Sequence, residues 1–513
     1  MAAPTGKQSP STLTPVLAQR RVRRSHPTAD QEEIPLRTRP LLKYVLGGTI
    51  GAVIPALTAT GYAFAEEKEP IQLLTESTNL MWIIIGAILV VFMQAGFALV
   101  ETGFTQKKNA AHVMSSNFAI FGLGFVGFMF IGFPLAFGGF SYAGYFGLDS
   151  PMNADPLIGS GNWAFLWSGW DHLADSASPA LLAFFLYMVA FMDTVATIPT
   201  GSMAERWKWN SFVVWGLFCG AFYYPLFAAW TWGGGWLAKS WDTMSLGAGY
   251  VDFAGSGVVH AVGGVAALAG AIVLGARRGK YGPDGKPRAI PGHNIPMAMT
   301  GCFILLFGWF GFNAASTFAS SDIRFATVAT NTAIAGAIGA TAAMFWVTKR
   351  MGKPDPGMMI NGMLAGLVAI TAPCAFVGPW AAAVIGALAA VIVVEFAWWL
   401  DRKGIDDPVG AVAVHGIGGT FGVICVGLFA NGDYGGAWNG SSVTGVKGLF
   451  YGDAGQLGAQ VLGAVVIWTV IFGFAFGFFK IQNRFTKGGI RLPEDIEIEG
   501  ADIPEMGVLA YND

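Results

Sequence analysis

The strongest constraint on this chain is a succession of eleven apolar runs of about twenty residues each, almost free of charge, between residues 80 and 480. Backbone N–H and C=O groups in hydrocarbon must find partners within the chain, and a helix of about 20 residues does this over a ~30 Å layer. The runs fall at 80–102, 114–140, 178–199, 211–236, 252–275, 294–315, 325–348, 357–374, 377–400, 408–430 and 456–480. Only 12% of residues are charged, against about 25% in a soluble globular protein. The 71 glycines suit helices that must approach closely in lipid. The expected fold is therefore an all-α membrane protein of eleven transmembrane helices. A net charge of −2 gives no reason to expect a nucleic-acid partner. Cys219, Cys302, Cys374 and Cys425 lie in or beside apolar runs at unrelated spacings, which reads as buried small hydrophobes.

The loops sort by charge. One set holds Lys107, Lys108, Arg206, Lys208, the stretch Arg277 to Arg288, Lys349, Arg350, Lys353, Arg402, Lys403 and the stretch Lys480 to Arg491. The other holds Lys239, Arg324 and Lys447, with acids such as Asp149, Asp155, Asp171 and Asp175. The split of 18 basic residues against three alternates at every loop, so the first set is expected to be cytoplasmic, with the mature N-terminus outside and the C-terminus inside. Residues 1–40, rich in Arg, Ser and Pro, read as a disordered basic extension. Residues 41–65, apolar after a basic flank and ending Ala63-Phe64-Ala65 before Glu66-Glu67, read as a signal peptide. The alternative, a twelfth span, is disfavoured by their Gly, Thr and Pro content. Residues 481–513 form the expected cytoplasmic tail, about thirty residues, in which no signalling domain is expected.

Two of the runs carry the same pattern. Asp252, His260 and Gly263-Gly264 match Asp407, His415 and Gly418-Gly419 as D-x7-H-x-x-G-G, five spans apart. An odd number of spans per unit inserts the halves with opposite polarity, so spans 1–5 and 6–10 read as an inverted repeat. Eight residues at 1.5 Å each put each histidine about 12 Å from its aspartate, near the middle of the layer, approached from opposite sides. A single buried histidine is more often satisfied by a neighbouring carbonyl. A pair of ionisable groups at the centre of a bilayer instead marks a path for an ion, proton or solute. Imidazole can pass a proton near neutral pH. A metal site would need further ligands at suitable spacing, which the pattern lacks, so no metal or cofactor is expected. No nucleophile–base pair or nucleotide loop points to an enzyme.

These residues resemble the ammonium transporter family (Amt/Mep/Rh), in particular its Amt/Mep branch, from about Asn79 onward. The resemblance rests on Asp252-Phe-Ala-Gly with His260, Asp406-Asp407-Pro with His415, Gly308-Trp-Phe-Gly-Phe-Asn313, Met203-Ala-Glu-Arg206, Trp232-Gly-Gly-Gly235, and Met93-Gln-Ala-Gly-Phe97 with Lys108-Asn109-Ala110. It implies eleven helices about a pseudo-two-fold axis, a homotrimer with one pore per subunit, and ammonium or ammonia (with methylammonium as analogue) as the solute. It also implies twin pore histidines at His260 and His415, a recruitment site of Trp232, Phe191 and Ser316, and a phenylalanine gate of Phe191 over Phe312. Asp252 and Asp407 are expected to support the site, Asp252 by capping backbone N–H groups or orienting the recruitment residues. The expected activity is electrogenic ammonium transport in the cell membrane. A passive ammonia or gas channel, and an ammonium sensor with little transport, are the alternatives. The sequence departs from the family at Tyr187, where many members have Phe, at the membrane acid Asp193, and at Met506 and Val508 in the tail, which leaves docking of a PII-type regulator less secure than transport.

Overall fold

The computed structural model describes residues 70–140, 154–170, 173 and 177–511. The basic extension and signal peptide expected within residues 1–65 lie outside the described residues. Among the described residues ten helices are long and apolar enough to cross a membrane: α1 (Pro70–Phe104), α2 (Lys107–Phe137), α3 (Pro179–Met203), α4 (Trp209–Trp230), α5 (Ser256–Leu274), α6 (Ile295–Thr317), α7 (Arg324–Met351), α9 (Pro379–Arg402), α10 (Val412–Phe429) and α11 (Ala454–Phe485). A shorter apolar helix, α8 (Pro356–Ile370), occupies the eighth expected run. It stops early because the chain turns at Thr371–Val377, where Pro373 offers no N–H to a helical ladder. A short antiparallel hairpin, β1 (Pro156–Ser160) and β2 (Trp163–Trp167), was not expected from the all-α reading. Its signal is the two-residue turn Gly161-Asn162, with Gly161 at φ +50°.

Helix starts follow local chemistry. Ser178 precedes Pro179 and accepts from Leu181 N at 3.2 Å; Asp355 precedes Pro356 and accepts from Gly357 N at 2.8 Å. Asn294 and Asp453 cap α6 and α11 in the same way. Helix α1 reaches back to Pro70, ten residues before the expected run at 80; in its polar first turns the hydroxyls of Thr75, Ser77 and Thr78 are satisfied on the carbonyls of Ile71, Leu73 and Leu74.

Helix α1 packs along α6, and α5 crosses α10. Along α1 and α6, a methyl on Gly96 would lie 3.0 Å from the Gly301 carbonyl, and one on Gly311 would lie 2.8 Å from the Gly86 carbonyl. The crossing of α5 and α10 is closer still. A methyl on Gly264 would meet the Gly416 backbone nitrogen at 2.1 Å, and one on Gly419 would meet the Ser256 carbonyl at 2.3 Å and Ala261 N at 2.7 Å. Ala261 and Gly416 are the residues that follow the two histidines, so the contact is reciprocal. Only glycine lets these backbones touch.

The two histidine motifs also begin alike. Three residues after each aspartate a glycine takes a positive φ, Gly255 at +113° and Gly410 at +80°. The chain therefore enters α5 and α10 through a sharp bend, and the aspartate caps the exposed helix start. Asp252 accepts from Gly255, Gly257 and Val258 N at 2.7–2.9 Å; Asp407 accepts from Ala411 and Val412 N at 3.0 and 2.8 Å. Each motif then winds as a π-helical turn, Ser256–Ala261 and Val412–Ile417, which holds its histidine. The straight α-helical rise used to place the histidines is thus replaced by a bend and a wider turn, the kind of local feature often found at functional sites.

The face carrying the basic loops is tied together by charge. Arg206, fully buried, donates from Nε to Gly275 O at 2.8 Å and from Nη2 to Asp406 O at 2.8 Å. Burial lowers its guanidinium to about 10, which leaves it charged at neutral pH. Arg277 pairs with Glu205 and, at 2.8 Å, with Asp406. Burial alone would raise the Asp406 carboxyl, but the hydrogen bonds from Arg277 and the positive charges of Arg206 and Arg277 hold it well below the usual carboxylate range. Glu205 stands at φ +70° and also accepts from Gln106 N and Asn109 Nδ2 at 2.8 Å, so one residue joins the α1–α2 loop to the others. The chain after α11 packs here too. Arg491 donates to Leu274 O and Ala276 O, and α12 (Glu494–Glu499) is held through Glu497 by Arg491 and by Arg278 N. Lys108 Nζ donates to Glu497 O, Asp502 accepts from Ala111 and His112 N, and Tyr511 meets His293 Nε2 at 2.9 Å.

Two outcomes follow. Gly264→Val forces the two backbones apart and should cost about 3 kcal/mol or more, lowering the thermal midpoint in detergent. Gly122→Ala, whose methyl meets no atom within 4 Å, should leave that midpoint unchanged or slightly raised. Asp406→Asn removes one of the two carboxylates that balance the buried Arg277 and Arg206, leaving Glu205 alone against both, and should cost about 3 kcal/mol at neutral pH. Because the folded carboxyl is depressed, its stabilisation is present above the unfolded value of about 4 and fades as pH falls toward the folded one. Thermal melts at pH 7, about pH 4 and about pH 2.5 should show the wild-type advantage over Asp406→Asn full at 7 and shrinking as pH falls below about 4.

Candidate functional site

A cavity of about 310 Å³ opens on the face opposite the basic loops, lined among others by Phe191, Trp232, Asp252, Phe253, Ser316 and Tyr434. Trp232 follows the end of α4, and its indole N–H donates to the Asp252 carbonyl at 2.7 Å. Asp252 thus serves twice, capping α5 with its carboxylate and holding the tryptophan with its backbone. The Phe191 ring meets Trp232 edge-on at 5.8 Å and stacks on Phe312 at 4.1 Å with a 21° interplanar angle. Ser316 lies one turn beyond Phe312 and donates to its carbonyl at 2.8 Å, which leaves lone pairs free to accept.

Tyr187, one turn before Phe191 on α3, lies against it with ring centroids 4.7 Å apart at a 35° tilt. Its hydroxyl reaches Gly311 O at 2.9 Å, Phe312 O at 3.1 Å and Ser316 Oγ at 3.1 Å. The hydroxyl that distinguishes this residue from phenylalanine therefore ties α3 to the end of α6 and adds a polar group beside Ser316.

Beneath the stacked rings lie the histidines. His260 stacks under Phe312 at 5.4 Å and on Trp309 at 5.1 Å. Trp309 is fixed by its N–H donating to Thr371 Oγ1 at 2.9 Å. The His260 and His415 rings are 5.2 Å apart, with Nδ1 to Nδ1 at 3.1 Å. Two neutral imidazoles can share that bond only as one donor and one acceptor, so the pair presents an acceptor nitrogen at one end and a donor at the other. His260 Nε2 is buried without a protein partner. Phe97 of α1 flanks His415 at 6.1 Å. Among the described residues no group of three or more His, Cys, Asp or Glu could hold a metal ion.

The structure thus brings Trp232, Phe191, Phe312, Ser316, His260 and His415 into one file, with Asp252 and Asp407 at the helix starts that aim the histidines. Asp193 does not join it. It is buried in α3, its Oδ1 has no hydrogen-bond partner, and it lines neither the wide cavity nor the space below the histidines. Two residues that the sequence reading passed over do matter in position. Glu101 lies inside the first apolar run, a charge where charge is costly, and that alone could have singled it out. It lines the space below His415. Trp309, in the motif Gly308 to Asn313, forms the floor on which His260 stacks.

Over residues 81–511 the chain matches the Ammonium Transporter Family. It is 44% identical over 435 residues to the ammonium transporter Amt2 of Archaeoglobus fulgidus, covering 84% of this chain and 88% of the relative. Among solved structures it resembles a sensor Amt protein, with TM-score 0.72, 33% identity and coverage of 85% of this chain and 100% of the other. It also resembles Mep2 of Candida albicans, with TM-score 0.68, 28% identity and coverage of 82% and 87%. With the whole helical region matched and the file of rings in place, the chain belongs to the ammonium transporter family and is a multi-pass membrane protein.

Proposed function

We propose that this protein moves ammonium across the cell membrane electrogenically, by taking the cation at the wide mouth, removing its proton near the Phe191–Phe312 gate, and passing ammonia along the histidines. The observation that carries this reading is the unbroken file of rings from Trp232 through Phe191 and Phe312 to His260 and His415. Trp232 and Phe191 offer aromatic faces worth about 0.5–2 kcal/mol to a small cation. Ser316, with lone pairs to spare, accepts one N–H. Rings stacked at 4.1 Å leave no room for a hydrated ion, and carrying a bare cation through apolar surroundings is expensive. Splitting the cation into a neutral base and a relayed proton avoids that cost. The hydrogen-bonded imidazoles supply the relay, since protonation at one end of the pair releases a proton at the other.

In this reading α8 is the eleventh span, α1–α5 and α6–α10 form the inverted halves, the basic face is cytoplasmic, and the wide mouth lies outside, with a signal peptide removed ahead of residue 66. The close pairing of α1 with α6 and of α5 with α10 supports the repeat. Apolar side chains such as Phe92, Phe303 and Phe307 face outward to be covered by lipid or by neighbours in a homotrimer. The docking face for a PII-type regulator is the one where the tail packs.

The likeness to a protein named as a sensor favours one second reading, binding of ammonium with little transport. Growth of a transporter-null cell on low ammonium separates them: rescue supports transport, and no rescue by correctly inserted protein supports the sensor. For the mechanism, an ammonium pulse over proteoliposomes on a supported membrane should give a transient inward current, and silence at every pH would instead indicate a passive channel. His260→Ala or His415→Ala should lower that current about 100-fold, the usual worth of a positioned proton-transfer group, and unchanged currents in both would rule out the relay. Trp232→Leu should reduce discrimination against larger alkylammonium ions roughly 2- to 30-fold, measured as the ratio of their currents to the ammonium current.

A further inference from the structure

Below the histidine pair, toward the basic face, lies a narrow cavity of about 20 Å³ lined by Phe97, Glu101, Val409, Gly410 and His415 among others. That is room for about one water molecule. A second, smaller cavity of about 10 Å³ is lined by Glu101, His112, Thr200 and Trp207 among others. One residue, Glu101, therefore lines both spaces.

Glu101 is held rather than paired. Its oxygens accept from Asn117 Nδ2 at 2.6 Å and from Thr200 Oγ1 at 2.9 Å. Asn117 is fixed in turn by Gln94, which donates to its carbonyl at 2.7 Å, and by Thr197, which donates to its Oδ1 at 3.1 Å. The hydrogen-bond donors that reach Glu101 are neutral groups, and no salt bridge involves it among the described residues. A purely structural acid at this depth would be expected to pair with a cation. His112 stands near the start of α2. Its ring is buried, both ring nitrogens lack hydrogen-bond partners, and its backbone N–H is capped by Asp502 from the chain after α11. Nothing in its packing uses the imidazole as a polar group; Trp209 meets it edge-on at 6.1 Å.

We propose that the relayed proton leaves the histidine pair by a side branch, from His415 across the 20 Å³ cavity to Glu101 and then to His112 at the basic face, while ammonia continues down the lumen. The step moves protons only. The His415 imidazolium gives its proton through one water to the Glu101 carboxylate, the carboxylic acid passes it through a second water in the smaller cavity to a His112 nitrogen, and His112 releases it toward the solvent at the basic face. The inference rests on the electrogenic reading above. Separate exits explain how ammonia and a proton, once parted, can travel on without recombining within the pore.

The test uses wild-type protein and Glu101→Gln, Glu101→Asp and His112→Gln variants in proteoliposomes, with the current after an ammonium pulse and the uptake of labelled methylammonium measured on the same preparations. If wild type passes no current, the electrogenic reading itself fails. With wild-type current present, Glu101→Gln, which keeps the shape and hydrogen bonds but cannot carry a proton, should lose current on the order of tenfold or more. Its methylammonium uptake should fall far less, so that charge and nitrogen are uncoupled. Glu101→Asp should restore part of the current. A wild-type current in Glu101→Gln, or a parallel loss of current and uptake, overturns the relay. His112→Gln breaks no side-chain hydrogen bond, so it decides the second step even if the Glu101 variants fold poorly. Its current should fall several-fold with uptake retained, and an unchanged current overturns the branch.

Discussion

The contact on which the site depends is the crossing of α5 and α10, where the backbone of each helix rests on a glycine of the other. Gly264 lies against Gly416 and Gly419 against Ser256 and Ala261, closer than any β-carbon allows. Because each histidine immediately precedes the residue that its partner's glycine touches, this approach brings the two Nδ1 atoms to 3.1 Å. The rest of the file is built outward from that pair. His260 stacks under Phe312, Phe312 under Phe191, and Phe191 meets Trp232, which Asp252 holds while capping the same helix. A shift of one element would propagate along the stack, since packed interiors transmit strain.

Much of this was legible in the sequence because lipid imposes simple rules. The ten long helices and the shorter α8 all fall on expected runs, and the repeat of Asp252 and His260 in Asp407 and His415 singled out the pair of helices that cross. What escaped were features that depend on local backbone geometry. Gly255 and Gly410 occupy the same place in both motifs, yet hydropathy says nothing of a glycine at positive φ, so the bends before α5 and α10 and the π-helical turns that follow were missed. The hairpin at residues 156–167 was missed for a similar reason, its strands being short and its signal confined to one turn. Glu101 was overlooked because a single acid at the end of an apolar run hardly alters its hydropathy. Tyr187 was noticed as a departure, but only its hydroxyl contacts with the end of α6 give that departure a physical meaning.

The motifs that carried the family resemblance prove to have separate tasks. Met203-Ala-Glu-Arg206 and the first aspartate of Asp406-Asp407 build the charged knot of the basic face, where Arg206 and Arg277 reach across loops and the chain after α11 is fastened. Asp407, next in sequence, points instead to the start of α10 and so to His415. Adjacent aspartates thus connect the knot to the pore helix. Asp502 at the start of α2, beside His112, gives the terminal segment a second point of contact with groups below the histidines.

The central claim is that ammonium enters as a cation and that its proton, though parted from the nitrogen at the gate, crosses the membrane with it. The most direct measurement is the ratio of charge moved to nitrogen taken up, obtained by integrating the current and counting labelled methylammonium in one set of proteoliposomes under a clamped potential. The account predicts about one elementary charge for each nitrogen carried, constant as the gradient is varied. Uptake of nitrogen with no accompanying charge would contradict it.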